Sequence, residues 1–99
     1  MRVLKGILKD SVAYYQRLER DLEQRLSKLP RGSVKRRQIR GHVYFYLQQR
    51  IGDKVVHRYL GRQEPVELAR AVEERRRVRR ELAEARAALR LIPQRKLAA

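Results

Sequence analysis

The sequence contains no cysteine, no tryptophan and only 11 acidic residues. The lack of cysteine excludes disulfide bonds and thiolate metal sites. With 37% charged residues among 99, the chain has few apolar side chains for a deep core, so we expect a thin or elongated fold. No apolar run approaches the roughly 20 residues of a membrane span. The sequence therefore predicts no membrane partner and a cytoplasmic location.

Positive charge is what the chain has in excess. It carries 26 Lys and Arg residues and a net charge of +15 at pH 7. Arginine supplies 20 of these cations, and its planar guanidinium group suits bidentate contacts with phosphates and base edges. A polyanion is the expected partner, and nucleic acid fits this composition better than a membrane surface. If that partner is DNA, we expect the protein to be associated with the nucleoid.

Two long segments have helical periodicity. The first helix is predicted over residues 4–29, and Pro30 and Gly32 end it. The second is predicted over residues 65–92, with Pro65 at its first position. Its seam of 3 and 4 spacings consists of Leu68, Ala71, Arg75, Val78, Leu82, Ala85, Leu89 and Ile92. The first helix offers a matching seam of Leu8, Tyr15, Leu18, Leu22 and Leu29, interrupted by Ser11 and Arg25. An antiparallel, coiled-coil-like hairpin of the two helices is predicted, followed by a flexible tail over residues 93–99.

Residues 33–62 change to β character and are predicted to form a three-stranded antiparallel sheet. Gly52 and Asp53 suit a two-residue hairpin turn, which pairs Tyr46 with Tyr59. One face then holds Tyr44, Tyr46, Gln48, Arg50, Val55, His57 and Tyr59. The other holds Val43, Phe45, Leu47, Ile51, Val56 and Leu60, and we expect it to be buried against helix.

The register of the first strand depends on the turn at Arg40 and Gly41. A two-residue loop places Lys35, Arg37 and Ile39 on the tyrosine-bearing face and Val34 on the apolar face, whereas a three-residue loop inverts this set. We favour the two-residue loop because it buries Val34 beside Leu47. The fold class is α+β, with the order helix, three strands, helix, in a single domain over residues 1–99.

Charge and aromatic residues are concentrated in the same segment. Residues 31–62 contain nine Lys or Arg and one acid, and four of the six aromatic residues. Cations neutralise phosphates, tyrosine rings stack on bases or sugars, and Gln and Arg read base edges. The predicted nucleic-acid contacts are Lys35, Arg37, Tyr44, Tyr46, Gln48, Arg50, His57, Arg58 and Tyr59, with Arg58 reaching only from the rim. The alternative is an ordinary solvated face whose cations protect the sheet edges.

The second helix carries the arginine run 75–80, which is either a phosphate-contacting stripe or a solvated face balanced by neighbouring glutamates. The auxiliary phosphate contacts predicted there are Arg76, Arg77, Arg79 and Arg80. His42 and His57 have no acidic residue at ligand spacing, so no metal site is expected. No nucleophile with an attendant base and no glycine-rich phosphate loop can be assembled. We predict no catalytic residue, no cofactor and no enzymatic activity.

The stretch LPRGSVKRRQIRGHVYFYLQQRIGDKVVHRYLGR, residues 29–62, resembles a pattern found in small uncharacterised prokaryotic proteins. That pattern has the form Leu-Pro-x-Gly-Ser, Gly-His-x-Tyr-x-Tyr-Leu, Gly-x-Lys-Val and Tyr-x-Gly. Similar strand segments occur near the N-termini of some insertion-sequence transposases. Three strands followed by a helix are also similar in outline to the arm-type DNA-binding domains of tyrosine recombinases, whose sheet enters the major groove.

The resemblance covers about a third of the chain and implies a role near mobile-element or chromosomal DNA. The groove-facing residues that it implies are Arg37, Tyr44, Tyr46, Arg50, His57 and Tyr59. The long first helix departs from the arm-type pattern, which lacks it.

The leading functional prediction is a non-enzymatic protein that binds duplex DNA through the basic, tyrosine-bearing sheet face. RNA is an alternative, because tyrosines on sheets also stack single-stranded bases. A second alternative is an interaction module, in which the helices form a homodimer or bind a partner protein as an accessory subunit of a larger complex.

Overall fold

The computed structural model describes residues 2–92, and for residues 2–5, 7 and 8 it describes the backbone alone. Along the chain, one helix precedes a three-stranded antiparallel sheet and one helix follows it. This order confirms the predicted α+β fold. The elements are α1 (Arg2–Ser27), β1 (Ser33–Ile39), β2 (His42–Ile51), β3 (Lys54–Gly61) and α2 (Val66–Leu91). The predicted tail over residues 93–99 and the seam position Leu8 lie outside the described side chains.

The helix ends follow from local sequence. At the end of α1 the amide of Lys28 donates to the carbonyl of Arg25 at 3.1 Å, a tightened last turn before Pro30. At the start of α2 the amide of Ala69 donates to the carbonyl of Pro65 at 2.9 Å. Proline is suited to this position because its missing N–H would have no partner in the first turn.

The chain forms two compact units, which are described separately. The helical unit consists of α1 and the second half of α2, from residue 77 onward. The sheet unit consists of residues 29–76, which include the whole sheet and the first half of α2.

The sheet has the order β1-β2-β3, and its register agrees with the predicted turns. Ile39 pairs with His42 across Arg40 and Gly41, and Ile51 pairs with Lys54 across Gly52 and Asp53. Arg40 and Gly41 both have positive φ, 52° and 81°, as a type I′ turn requires. The two-residue register for β1 is therefore confirmed, and it pairs Val34 with Leu47 and Arg37 with Tyr44.

A β-bulge interrupts the ladder between β2 and β3. Phe45 pairs with Gly61 while its neighbour Tyr46 pairs with Tyr59, so Leu60 is an extra residue on β3. Gly61 has a φ of 114°, a backbone conformation that side chains with a Cβ adopt only under strain. The bulge therefore depends on glycine at this position.

The core of the sheet unit lies under one face of β2. Phe45 and Leu47 are buried there, with 9% and 2% of their surface exposed, and Val72 of α2 is buried with them. Ala69 and Val72 line one recess together with Val34 of β1, so the first half of α2 covers this part of the sheet. The predicted seam included Ala71, which is half-buried, but it missed Val72.

The predicted burial of the whole apolar face was wrong at one end. Ile51 is 60% exposed and Val56 is 42% exposed. The reason is strand length: β1 starts at Ser33, opposite Gln48, so the last residues of β2 pair with β3 alone. The β2–β3 hairpin extends past the three-stranded region, where these side chains remain uncovered.

Gly32, in the segment between α1 and β1, lies close against the backbone of β2. Its φ is 123°, and a Cβ there would lie 2.6 Å from the carbonyl oxygen of Gln48. Next to it, the side-chain amide of Gln49 donates to the carbonyl of Arg31 at 2.8 Å. Only glycine allows this close approach of the connecting segment to β2.

In the helical unit the two helices pair, as the seams predict. Leu22 of α1 and Val78, Leu82 and Ala85 of α2 are buried. Arg86 donates to Glu19 at 3.1 Å and to Glu23 at 2.7 Å, which joins one helix to the other. Hydrogen bonds to Glu23 and then Glu19 raise the pKa of Arg86 above its already high ordinary value. This arginine therefore stays charged.

Candidate nucleic-acid interface

One face of the sheet, which we name the tyrosine face, presents mostly polar and aromatic side chains. The alternation of β2 puts Tyr44 and Tyr46 on it, and the register adds Tyr59 from β3. By strand pairing the face also includes Ser33, Lys35, Arg37 and Ile39 of β1, His42, Gln48 and Arg50 of β2, and Val55 and His57 of β3. None of the three strands contributes an acidic residue to it, because Asp53, the one acid of residues 33–61, is in the hairpin turn.

The three tyrosine rings form one cluster. The ring centroids of Tyr46 and Tyr59 are 5.5 Å apart, and those of Tyr44 and Tyr59 are 6.2 Å apart. The ring planes are tilted by 54° and 52°, within the range of favourable aromatic pairs. Tyr59 is the most accessible ring, with 55% of its surface exposed, whereas Tyr44 and Tyr46 are half-buried.

An arginine stacks on each of the two half-buried rings. The guanidinium carbon of Arg37 lies 5.3 Å from the ring centroid of Tyr46, and that of Arg62 lies 5.8 Å from the ring centroid of Tyr44. Both distances are typical of cation–π contacts. A guanidinium group stacked in this way keeps N–H donors at its edge for an anion.

Arg62 is held by a second contact. One of its terminal nitrogens lies 2.6 Å from Nδ1 of His42, whose ring is 6.4 Å from that of Tyr44. In the tautomer that carries its proton on Nε2, the ring accepts a hydrogen bond from the guanidinium group at Nδ1. His42, Tyr44 and Arg62 thus form one connected group at the end of the face.

The bulge explains why Arg62 belongs to the tyrosine face. In an unbroken ladder Gly61 would pair with Tyr44, and Arg62 would follow on the opposite face. The bulge instead sets Gly61 opposite Phe45, so Arg62 lies next to Tyr44. Sequence reasoning missed Arg62 and His42 as members of the site. Gly61 near the end of a strand could have indicated the bulge, and with it Arg62. His42 could have been found because it lies two residues before Tyr44 on the same strand and so shares its face.

The structure brings some of the predicted residues into contact and not others. Arg37, Tyr44, Tyr46 and Tyr59 contact one another in the cluster. Four others share the face by register alone, namely Lys35, Gln48, Arg50 and His57. Arg58 pairs with Leu47 and lies on the opposite face, as expected from the turn.

The auxiliary arginines of α2 differ in their surroundings. Arg76, in the sheet unit, donates to Glu73 at 2.5 Å and to the hydroxyl of Ser33 at 2.7 Å. Its guanidinium group is therefore already engaged within the protein. Arg77, Arg79 and Arg80 lie in the helical unit and are exposed.

Within residues 2–92, no three His, Asp or Glu side chains lie close enough together to hold a metal ion. None of the described helices is long and apolar enough to cross a membrane.

A family model matches residues 13–71, from the middle of α1 through the whole sheet to the first turns of α2. That match covers more than half of the chain. The chain belongs to the DUF6788 family. The family is described as a domain of unknown function, so membership relates this chain to the other members but assigns no activity to it. No curated protein and no solved structure is found to match the chain.

Proposed function

We propose that this DUF6788 protein is a non-enzymatic nucleic-acid-binding protein and that its tyrosine face docks on duplex DNA. The observation that carries the proposal is the pair of arginine–tyrosine stacks, Arg37 on Tyr46 and Arg62 on Tyr44. They lie on a face to which the three strands contribute two further cations, Lys35 and Arg50, and no acid. Solubility or edge protection alone does not require cations ordered on aromatic rings.

Phosphate contacts would provide most of the affinity. Each stacked guanidinium group is held by its ring before binding, so little side-chain entropy is lost when it meets a phosphate. Lys35 and Arg50 add charge on either side of the cluster. Arg79 and Arg80 of α2 are further candidates for phosphate contacts, whereas Arg76 would have to leave Glu73 and Ser33.

The ring arrangement favours a duplex over a single strand. Arginines already occupy Tyr44 and Tyr46, which leaves Tyr59 as the one ring of the cluster with a largely open surface. Single-strand binders stack successive bases on several free rings. Here the cationic groups meet a phosphate backbone more readily than the rings meet unstacked bases.

A salt titration tests the proposal. Fluorescence anisotropy with a labelled duplex should give binding that weakens about a hundredfold between about 50 and 200 mM salt, if the four cations each contact a phosphate. No binding at low salt, or binding that does not respond to salt, would contradict it. Competition between duplex DNA, single-stranded DNA and structured RNA separates the DNA proposal from the RNA alternative.

If duplex DNA is the partner, we expect the protein in the cytoplasm with the nucleoid. A place near mobile-element DNA, implied by the resemblance to transposase and recombinase segments, stays a prediction.

The helices are a second candidate surface, for self-association or a partner protein. The observation in its favour is Arg75, which is half-buried although its seam neighbours Leu68, Ala71 and Val78 are apolar. A polar residue in a seam commonly limits or selects helix partners. Under this alternative, Arg75→Leu should tighten self-association in sedimentation equilibrium, while the DNA proposal expects no such change.

A further inference from the structure

The two edges of the sheet are protected differently. Strand β1 presents three successive cations, Lys35, Arg36 and Arg37, all exposed. Such charges on an edge strand oppose pairing with another chain. Strand β3, at the other edge, has the consecutive valines Val55 and Val56 near its start. Strand β3 also carries Lys54 and Arg58, but the two valines stand between them, so the usual protection is weaker at β3 than at β1.

Exposed apolar surface is concentrated in the β2–β3 hairpin. Val55 is 51% exposed and Val56 is 42% exposed, and they point to opposite faces of the sheet. Together with Ile51 and Tyr59, they make up half of the large apolar residues that the described chain exposes. Apolar surface gathered on one hairpin marks an interaction site more strongly than scattered residues do.

The backbone of β3 also has one free side. Strand β3 is the last strand of the sheet over the described residues, and its first six residues are exposed. In a strand paired on one side, the outward N–H and C=O groups can accept a further strand. The β3 edge combines these groups with apolar side chains on both faces.

Charge identifies the kind of strand that fits. Lys54 and Arg58 lie on the same face as Val56, one on each side of it, and residues 54–63 contain no acid. A second copy would bring these cations toward each other, on a chain with a net charge of +15. An added strand with an acid opposite each cation and an apolar residue between them would complement the edge.

We propose that the outer edge of β3 binds an extended segment of a partner protein, in which two acidic residues flank an apolar residue with the spacing acid-x-apolar-x-acid. The segment adds a fourth strand to the sheet. Its acids pair with Lys54 and Arg58, and its central side chain covers Val56. This binding uses the face opposite the tyrosine cluster and does not rest on the proposed nucleic-acid function.

A short synthetic peptide serves as the probe. The blocked heptapeptide Thr-Glu-Thr-Val-Thr-Glu-Thr has the required spacing and reads the same in both directions, so it fits a parallel or an antiparallel strand. NMR titration of the full chain should shift the amides of β3 and slow their exchange with solvent. A peptide of the same composition with adjacent glutamates should bind about tenfold more weakly, since its acids point to opposite faces.

A charge exchange separates strand addition from general attraction to a basic protein. The double variant Lys54→Glu with Arg58→Glu should lose the probe and bind the corresponding lysine peptide instead. The control Arg36→Glu with Arg40→Glu makes the same charge change with the same spacing in the sequence, on β1 and in the turn that follows it, and it should keep the probe.

Three results would overturn the proposal. One is equal binding of the probe and of a version N-methylated at every backbone nitrogen, which cannot pair as a strand along either of its edges. Another is equal loss of binding in the control variant. The third is concentration-dependent self-association through β3 that the single variant Lys54→Glu strengthens by placing a carboxylate opposite Arg58 of a second copy, which would assign the edge to that copy.

Discussion

The two faces of the sheet use the same strands for different purposes. Successive residues of β2 alternate between them, so buried Phe45 and Leu47 are interleaved with Tyr44 and Tyr46. On the tyrosine face the side chains contact one another and remain accessible. On the opposite face two side chains make the core, while Ile51 and Val56 at the hairpin end are left uncovered. The core and the proposed binding face are thus separated by one position along a strand, and we expect that each can be perturbed without the other.

The largest expected effect is on stability. Leu47→Ala removes a side chain with only 2% exposure from the core under β2, and we expect it to lower the free energy of unfolding by about 2–5 kcal/mol. Its neighbour Gln48 lies on the tyrosine face, so Gln48→Ala should change this free energy by less than about 0.5 kcal/mol. Urea denaturation followed by circular dichroism measures both. Equal losses would show that the two faces are not separated in this way.

The next effect is on binding. The double variant Arg37→Ala with Arg62→Ala should weaken duplex DNA binding about thirty- to a hundredfold, because two preorganised phosphate contacts are lost. The slope of log affinity against log salt should fall by about 2. The matched double variant Lys54→Ala with Arg58→Ala removes two cations from the opposite face. If it weakens binding as much, net charge and not the tyrosine face is responsible.

A smaller effect is expected at the bulge. Gly61→Ala introduces a Cβ where φ is 114°, and the strain should cost about 1–2 kcal/mol of stability. Because the bulge directs Arg62 to Tyr44, DNA affinity should fall as well, by about three- to tenfold. Gly6→Ala is the control, since it lies in α1 with nothing near its added methyl group and should not destabilise the fold. Unchanged affinity in Gly61→Ala would mean that Arg62 does not depend on the bulge.

The smallest effect concerns the uncovered end of the apolar face. Val56→Thr keeps the shape and β propensity of an exposed side chain, so thermal unfolding should show a loss below about 0.5 kcal/mol. A loss near that of Leu47→Ala would mean that Val56 is covered in solution, by self-association or by another part of the chain.

Much of the fold could be predicted because local signals agreed. Proline and glycine bracket the helices, and the pairs Arg40–Gly41 and Gly52–Asp53 fix both turns, so the register of every strand up to Tyr59 followed from them. The bulge could not be derived in the same way, since an extra residue such as Leu60 changes the parity of the strand without changing its composition. That is why Arg62 was missed.

The alternation of side chains along a strand also could not predict which residues of the apolar face are buried. A period of two assigns Ile51 and Val56 to a face, but it carries no information on how far the neighbouring strand and helix extend. In α2, spacings of 3 and 4 from Leu68 lead equally well to Ala71 or Val72. The contacts that select Val72 are tertiary.

The most direct measurement of the central claim is an NMR titration of the full chain with a short duplex. We expect the ring resonances of Tyr44, Tyr46 and Tyr59 and the side-chain resonances of Arg37 and Arg62 to shift in a salt-dependent manner. The resonances of Phe45 and Leu47 should not shift. Shifts confined to α2, or to the opposite face around Val56 and Arg58, would contradict it.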